Sequence, residues 1–334
     1  MERNYAPWIH FVPTLYCPFL CEHCGCNSGP HEKKSMPLEQ AVFYIEQMPE
    51  LRTEAVQISG GEATTYKHFY ELVDVIGKTR EETGYLQNTF LITNGKGFGE
   101  KEVALKKLRH LTGKIDKVYV SNDQFHRKFN NSKSIKNLRE LSKENGVPSI
   151  FFMDQDIDVL CPVGRAKNLR MKYEEDAEYC GLCDMVMNGT PANGTRKFVF
   201  NRSISVTPEG IYACDWKRVK IGEFGERICD VVERYLKEPA NHVIGLYGIR
   251  GAIREVQKLG EARWIDTKKP ECMVCEEFFN DEKAFGALKQ NSRRILKDAL
   301  SIERERLENM KGSVSEQEFE NAVKLYDFQE SLLV

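Results

Sequence analysis

The chain has 334 residues, 41% hydrophobic and 29% charged, with a formal net charge of −2 at pH 7. Such a composition belongs to a soluble globular protein with room for one large α/β domain and an appendage, or two modest domains. The near-neutral balance excludes a broad nucleic-acid or membrane footprint, leaving only local patches such as Arg196 to Arg202; no apolar run reaches the roughly 18 residues of a membrane span, and the charged start Met1 to Asn4 lacks a signal-peptide core, so a cytoplasmic location is expected. Trp8 to Pro13 is an apolar run that reads as the first strand. It leads into Cys17, Cys21 and Cys24, whose spacings of three and two intervening residues let three thiols converge on one metal centre from a single loop. Cys26 follows too soon to share that geometry. Three protein ligands and one open position separate a working metal site from a closed structural one. A zinc site closed by a fourth ligand and a chance grouping of buried thiols are the alternatives.

A polar, turn-rich stretch runs from Asn27 to Ser35, and Pro37 marks the start of a helix to about Met48, capped near Ser35 or Met36. Ala55 to Ser59 is a short strand that ends in Gly60, Gly61 and Glu62. Lys67 to Thr83 reads as a helix with Phe69, Leu72, Val73 and Ile76 on one face. Gln87 to Thr93 is the next strand, ending in Asn94 and Gly95. A helix from Glu100 to Leu111, a strand from Val118 to Ser121, a helix from Ser132 to Asn145 and a fifth strand from Ser149 to Met153 follow. This alternation predicts an α/β fold with a parallel sheet or barrel, whose functional residues gather beyond the carboxyl ends of the strands. Cys17, the Gly-Gly-Glu word, Asn94-Gly95 and Ser121-Asn122-Asp123 each follow such a run, so all four are expected on one rim. Val159 to Ala166 comes too soon after the fifth strand for a crossover of at least about 10–12 residues. The barrel is therefore incomplete, or one strand is contributed differently.

Eleven cysteines in an untargeted chain point to metal ligation or redox work rather than a disulfide framework. Four lie between Cys17 and Cys26 and seven from Cys161 onward, as two metal centres would require. The second pole holds Cys180 and Cys183, then Cys214 at the end of a hairpin turning at Pro208 to Gly210, and finally Cys272 and Cys275. Zinc is the default reading of paired C-x2-C units. From Asn280 onward the chain is charged and periodic, with Phe285, Leu288, Ile295, Leu296 and Leu300 spaced for one helical face. A break at Gly312-Ser313 precedes a final helix starting near Ser315.

The cysteine loop resembles that of the radical S-adenosylmethionine (SAM) enzymes. The resemblance implies a partial, TIM-like (β/α) barrel of about five or six units, a [4Fe–4S] cluster on Cys17, Cys21 and Cys24, and S-adenosylmethionine at the remaining iron. It also implies cofactor contacts from His23, a flat ring beside the adenine, and from Gly60, Gly61 and Glu62. Glycine permits close backbone approach to the methionine moiety, and the glutamate meets its ammonium group. Asn94 is a further candidate, Ser121 and Asp123 match positions that reach the ribose, and Arg165, in a word resembling Pro-x-Gly-Arg-Ala, suits the cofactor carboxylate. Asp123-Gln124-Phe125-His126 resembles a stretch of the epipeptide epimerases, in which His126 would touch substrate or relay a proton. Residues 171–280 resemble the SPASM/twitch extension and imply an auxiliary [4Fe–4S] cluster on Cys214, Cys272 and Cys275, with Cys180 or Cys183 as the fourth ligand. Ile221 to Phe224 matches a short strand after the hairpin.

The resulting expectation is a barrel over residues 1–170, an auxiliary-cluster region over 171–280 and C-terminal helices over 281–334. The enzyme would cleave S-adenosylmethionine reductively to a 5′-deoxyadenosyl radical that abstracts hydrogen from a ribosomally made peptide, giving epimerisation or crosslinking. A flavodoxin- or ferredoxin-type protein would supply electrons, and neither a membrane nor a nucleic acid is expected as a partner. Epimerisation needs a hydrogen donor. The resembling epimerases carry a second cysteine directly after the hairpin cysteine, where this chain has Asp215, leaving Cys26, Cys161 or Cys229 as candidates. Chemistry on a small molecule such as a sugar, nucleoside or amino acid is the enzymatic rival, since no leader-binding domain is evident before the first strand. A non-catalytic metal or iron–sulfur sensor is the rival of a different class.

Overall fold

The computed structural model describes residues 6, 8–129, 132–160, 162–169, 172–173, 191–192, 195–196, 203–214 and 219–333. They divide into two compact units, one over residues 6–174 and 204–229, the other over the described residues of 175–203 and 230–334.

The first unit alternates strand and helix: β1 (Trp8–Phe11), α1 (Leu38–Gln47), β2 (Ala55–Ile58), α2 (Phe69–Thr83), β3 (Asn88–Thr93), α3 (Lys101–Leu111), β4 (Lys117–Ser121), α4 (Gln124–Arg127), α5 (Ser132–Leu141) and β5 (Ser149–Met153). Strands β1 to β5 pair in parallel in chain order. Their register puts Ile9, Phe11, Val56, Ile58, Leu91, Val118 and Val120 on one face, and all seven are fully buried. A dry sheet face needs a matching layer. The buried stripes of α2 (Leu72, Val73, Ile76), α3 (Leu108, Leu111) and α5 (Leu138, Leu141) supply apolar surface of that kind.

The opposite face differs. It carries an aromatic row in which Trp8 stacks on Phe90 at 5.4 Å across small Ala55, Phe90 meets Tyr119 edge-on at 6.1 Å, and Tyr119 stacks on Phe151 at 5.3 Å. At the end of this row Phe151 and Met153 remain 45% and 39% exposed.

The sixth barrel position is where the layout departs from a regular repeat. The two-residue β6 (Val159–Leu160) pairs with β7 (Lys172–Tyr173) apart from the main sheet, while β8 (Pro191–Ala192) and β9 (Thr195–Arg196), which pair with each other, belong to the second unit. The free edge of β1 is taken instead by β10 (Ser203–Thr207), followed by β11 (Gly210–Tyr212) and β12 (Lys220–Gly222), in the order β12-β11-β10-β1-β2-β3-β4-β5. Val12 N–H donates to Val206 O at 2.8 Å along this seam. Among the described residues β5 and β12 are the sheet edges. The segment between β5 and β6 is too short for a helical crossover, so the hairpin provides the extra strand. Buried His10 pins it, with Nδ1 3.0 Å from Ser205 Oγ and Nε2 bonded to Ser59 Oγ.

Arg80 ties the end of α2 to the starts of β3 and β4. It donates to Leu86 O at 2.8 Å, Thr89 Oγ1 at 2.9 Å and Asp116 Oδ1 at 3.1 Å, while Asp116 Oδ2 accepts from Thr89 N–H at 2.6 Å. Arg80→Ala strands a partly buried carboxylate and should cost about 3 kcal/mol. A lowered urea midpoint at unchanged slope checks this.

Apart from β8 and β9, the described residues of the second unit are helical: α6 (Ile228–Leu236) at the boundary, then α7 (Pro239–Lys258), α8 (Glu271–Asn280), α9 (Glu282–Met310) and α10 (Glu316–Ser331). The Asp281 carboxylate caps α9 by accepting from Lys283 and Ala284 N–H at 3.0 Å, and Gly312 at φ +83° makes the expected break before α10. No helix among the described residues is long and apolar enough to cross a membrane.

Candidate functional site

The loop that leaves β1 is closed by its own backbone. Leu15 N–H donates to Lys34 O at 2.9 Å, Cys17 N–H to Gly29 O at 3.2 Å, and Cys24 N–H to Cys21 O at 3.2 Å. Ser35, expected near a helix cap, instead bonds Thr14 Oγ1 at 2.7 Å and fastens the far end of the loop, so Pro37 precedes α1. Cys17 and Cys21 are buried with Phe19, and Cys24 and Phe129 pack on them. Phe19 stacks on Phe129 at 4.7 Å. Burial pushes the Cys17 and Cys21 thiols up to about 12, so a metal that takes them as thiolates releases protons. Two donors already address the Cys17 sulfur: Phe19 N–H at 3.4 Å and Asn94 Nδ2 at 3.5 Å. Cys26 is half-buried on the same loop.

The rim words are joined to this loop by direct bonds. Gly61 N–H donates to Thr14 O and Glu62 N–H to Tyr16 O, both at 2.8 Å. Gly60 sits at φ +129°, and a Cβ on Gly61 would lie 2.0 Å from Tyr16 O. Both glycines are thus already required by the chain's own backbone. Gly61→Ala should push the loop away and lose most cluster-bound iron after anaerobic reconstitution, with the far-ultraviolet dichroism retained. Glu62 is buried and accepts from Thr64 Oγ1 at 2.6 Å, Thr64 N–H at 3.3 Å, Thr93 Oγ1 at 2.7 Å and Asn94 N–H at 2.7 Å. Glu62 therefore holds Asn94, and Asn94 holds the Cys17 sulfur. Thr64 and Thr93 were not among the sequence candidates, because a threonine beside a strand end carries no distinguishing signal.

At the end of β4, Ser121 and Asp123 are buried. Asp123 Oδ1 caps α4 by accepting from Phe125 N–H at 2.9 Å and His126 N–H at 3.2 Å, and Oδ2 accepts from His126 Nδ1 at 2.7 Å. Burial pushes the Asp123 carboxyl up, but the His126 hydrogen bond and charge outweigh it and hold it below its ordinary value. His23 Nε2 lies 3.8 Å from Asp123 Oδ2. The His23 ring stacks on Phe125 at 4.4 Å and 17°, and meets His126 edge-on at 5.0 Å. Burial outweighs the pull of Asp123 and lowers His23 to about 4, so the ring is neutral at neutral pH. Its Nδ1 is buried without a hydrogen-bond partner. Phe125 is a site residue that sequence reasoning passed over; its apolar side chain between Asp123 and His126 was the available signal.

Arg165 reaches this site from the other side of β6. Its Nε donates to Cys21 O at 2.9 Å, Nη2 to Ser28 O at 2.7 Å and its backbone N–H to Cys24 O at 3.0 Å. In the second cysteine pole, Cys161, Cys180 and Cys183 lie outside the described residues. Cys214 is buried just past β11 and Cys229 is buried at the start of α6 in the first unit. Cys272 and Cys275 are buried one turn apart on α8 in the second.

Three cysteines on one closed loop, with amide donors aimed at one sulfur and an unpartnered buried imidazole nitrogen beside them, fit an iron–sulfur cluster and a polar ligand. Residues 11–154 match the model of the radical SAM superfamily. A GTP 3′,8-cyclase of Actinobacillus pleuropneumoniae serotype 5b is 30% identical over 97 residues, 28% of this chain and 27% of that protein. The mycofactocin maturase MftC of Mycolicibacterium smegmatis is 33% identical over 61 residues, 18% of this chain and 16% of that protein. The chain thus spans about a quarter or less of the length of these curated relatives. Among solved structures, Streptococcus suis SuiB bound to precursor peptide SuiA is similar in fold, with a TM-score of 0.50 and 16% identity over 69% of this chain and 65% of that one. The family match runs from Phe11 at the end of β1 to Asp154 just past β5, the stretch that holds the cysteine loop and the rim bonded to it, and the chain accordingly carries a radical SAM domain, which uses a [4Fe–4S] cluster and S-adenosylmethionine.

Proposed function

We propose that this radical SAM enzyme modifies a peptide, by epimerisation or crosslinking. The observation that carries the reading is the sheet face opposite the helices. It presents Trp8, Phe90, Tyr119, Phe151 and Met153, and among its residues on β1 to β5 the only lysine or arginine is Lys117, 5.5 Å over the Phe90 ring. A triphosphate such as that of GTP calls for several converging cations, whereas apolar side chains of a peptide suit an aromatic lining. The fold likeness to SuiB, solved with the precursor peptide SuiA, supports the same choice.

When bound, the cluster and S-adenosylmethionine supply a carbon-centred radical able to abstract hydrogen. Around them, Glu62 would meet the ammonium group, Gly60, Gly61 and Asn94 would hold the methionine moiety, Ser121 and Asp123 would bind the ribose, and His23, stacked on Phe125, would offer a flat ring to the adenine. His126, oriented by Asp123 through Nδ1, contacts substrate or relays a proton. Cys214, Cys272 and Cys275, with Cys180 or Cys183, are the candidate ligands that would hold an auxiliary [4Fe–4S] cluster, in a chain order of barrel over 1–170, auxiliary-cluster region over 171–280 and helices over 281–334. Cys26, Cys161 and Cys229 are the hydrogen-donor candidates, and a flavodoxin- or ferredoxin-type protein in the cytoplasm delivers electrons.

The test is incubation of the reconstituted, reduced enzyme with S-adenosylmethionine and, in separate reactions, GTP and a short peptide encoded beside its gene, in deuterated water. A peptide gaining one solvent deuterium indicates epimerisation, and a loss of two hydrogens indicates crosslinking. Turnover of GTP with the peptide unchanged would sink the peptide reading.

A further inference from the structure

We infer that Gly164 and Arg165 form a latch that holds the cysteine loop in its cluster-binding shape, making Arg165 a positioning residue for the cluster. The latch is independent of which substrate the enzyme takes. Its first half is backbone: Gly164 adopts φ +54°, and a Cβ there would lie 2.4 Å from both Cys24 O and Gly25 O, so this residue presses on the loop where a side chain has no room. Its second half is the arginine, which reaches across 144 residues of sequence to Cys21. With Nε on Cys21 O, Nη2 on Ser28 O and its backbone N–H on Cys24 O, one residue gathers carbonyls from both sides of Cys24. The flanking Val163 and Ala166 are buried and fix the approach.

The geometry gives Arg165 two effects. Its planar fork spans two carbonyls that a lysine ammonium, a single point, cannot bridge in the same way. Its charge also sits on the Cys21 and Ser28 carbonyls of the cysteine loop, and a fixed positive charge near an iron–sulfur cluster favours the reduced, more negative state. The early arrival of β6 acquires a purpose here. The chain after Met153 returns to the cysteine loop instead of completing another strand–helix unit.

The test uses the full chain, anaerobically reconstituted, with R165Q, R165K and G164A. Iron release to a chelator is timed without S-adenosylmethionine, and the midpoint potential is read from the electron paramagnetic resonance signal that responds to S-adenosylmethionine. Removing a group that orients metal ligands costs about 10- to 100-fold in metal affinity, so R165Q and G164A should release iron from this cluster about that much faster. R165Q should also shift the potential to more negative values. R165K should keep the potential close to wild type yet release iron fast, because it retains charge without the fork. Wild-type release and potential in R165Q would overturn the latch. So would R165K with wild-type release, which keeps the proposal decidable even where R165Q does not fold. Weakened binding of S-adenosylmethionine in R165Q with iron release unchanged would reassign Arg165 to the cofactor carboxylate and also overturn it.

Discussion

Changing any one of Cys17, Cys21 and Cys24 to serine should leave a folded protein that holds no cluster at this loop and cleaves S-adenosylmethionine on the order of 10³-fold more slowly or worse, as for other groups that act as a unit. The reason lies in the loop itself. Its three thiols come from a single closed turn, with Cys17 and Cys21 buried beside Phe19 and Cys24 packed against them, so two remaining sulfurs cannot be supplemented from another element without reopening that turn. A serine hydroxyl supplies neither a soft ligand nor an accessible alkoxide. Iron and sulfide analysis together with quantitation of 5′-deoxyadenosine are the measurements. The comparison that gives the result meaning is Cys26→Ala, which should retain the cluster. A Cys24→Ser protein that still binds iron at this loop, and loses it only when Cys26 is also replaced, would show that Cys26 can serve as the third ligand.

Glu62→Ala should destabilise the first unit by about 3–5 kcal/mol, the range in which loss of a buried, multiply bonded charge falls. Thr64 and Thr93 can turn their hydroxyls elsewhere. The Asn94 N–H, bonded to Glu62 Oε2 at 2.7 Å, cannot turn, and a buried donor left without a partner costs about 1–3 kcal/mol by itself. Asn94 would then lose the support that aims its side chain at Cys17. Glu62→Gln keeps the shape and one acceptor, so about half the loss is expected. Urea denaturation of the cluster-free protein under reducing conditions, without cofactor, isolates this internal role from the proposed contact with an ammonium group. A loss in the alanine variant below about 1 kcal/mol, the net worth of one ordinary hydrogen bond, would mean that the four bonds to Glu62 are dispensable.

Much of the architecture was legible because it is written in local periodicity. The helices α2, α9 and α10, the five parallel strands and the hairpin turn at Pro208 to Gly210 all fall where alternation, apolar spacing and turn residues put them. Helix α7 escaped notice for a physical reason. Gly245, Gly248 and Gly251 each weaken a helix by about 1 kcal/mol relative to alanine, and Gly248 does leave helical geometry at φ 68°. Burial of Val243, Ile244, Ile253 and Val256 overrides that penalty. Helix α8 was hidden in another way, since Cys272 and Cys275 stand out as a C-x2-C pair, and their three-residue spacing also fits one face of a helix.

For the site, the sequence by itself determined which thiols are gathered in one loop. The intervals between Cys17, Cys21 and Cys24 lie within one loop, and a loop this short leaves its thiols few places to go. The order of strands likewise determined that Glu62, Asn94 and Asp123 would share a rim with those cysteines. Only the tertiary structure decided what each rim residue touches. Gly61 lies against Tyr16, Asn94 points at the Cys17 sulfur, His23 stacks on Phe125, and Arg165 returns to Cys21 across most of the domain. Such contacts depend on strand register and on which polar groups burial leaves without water. Those are properties of the whole packed sheet, which no local spacing encodes.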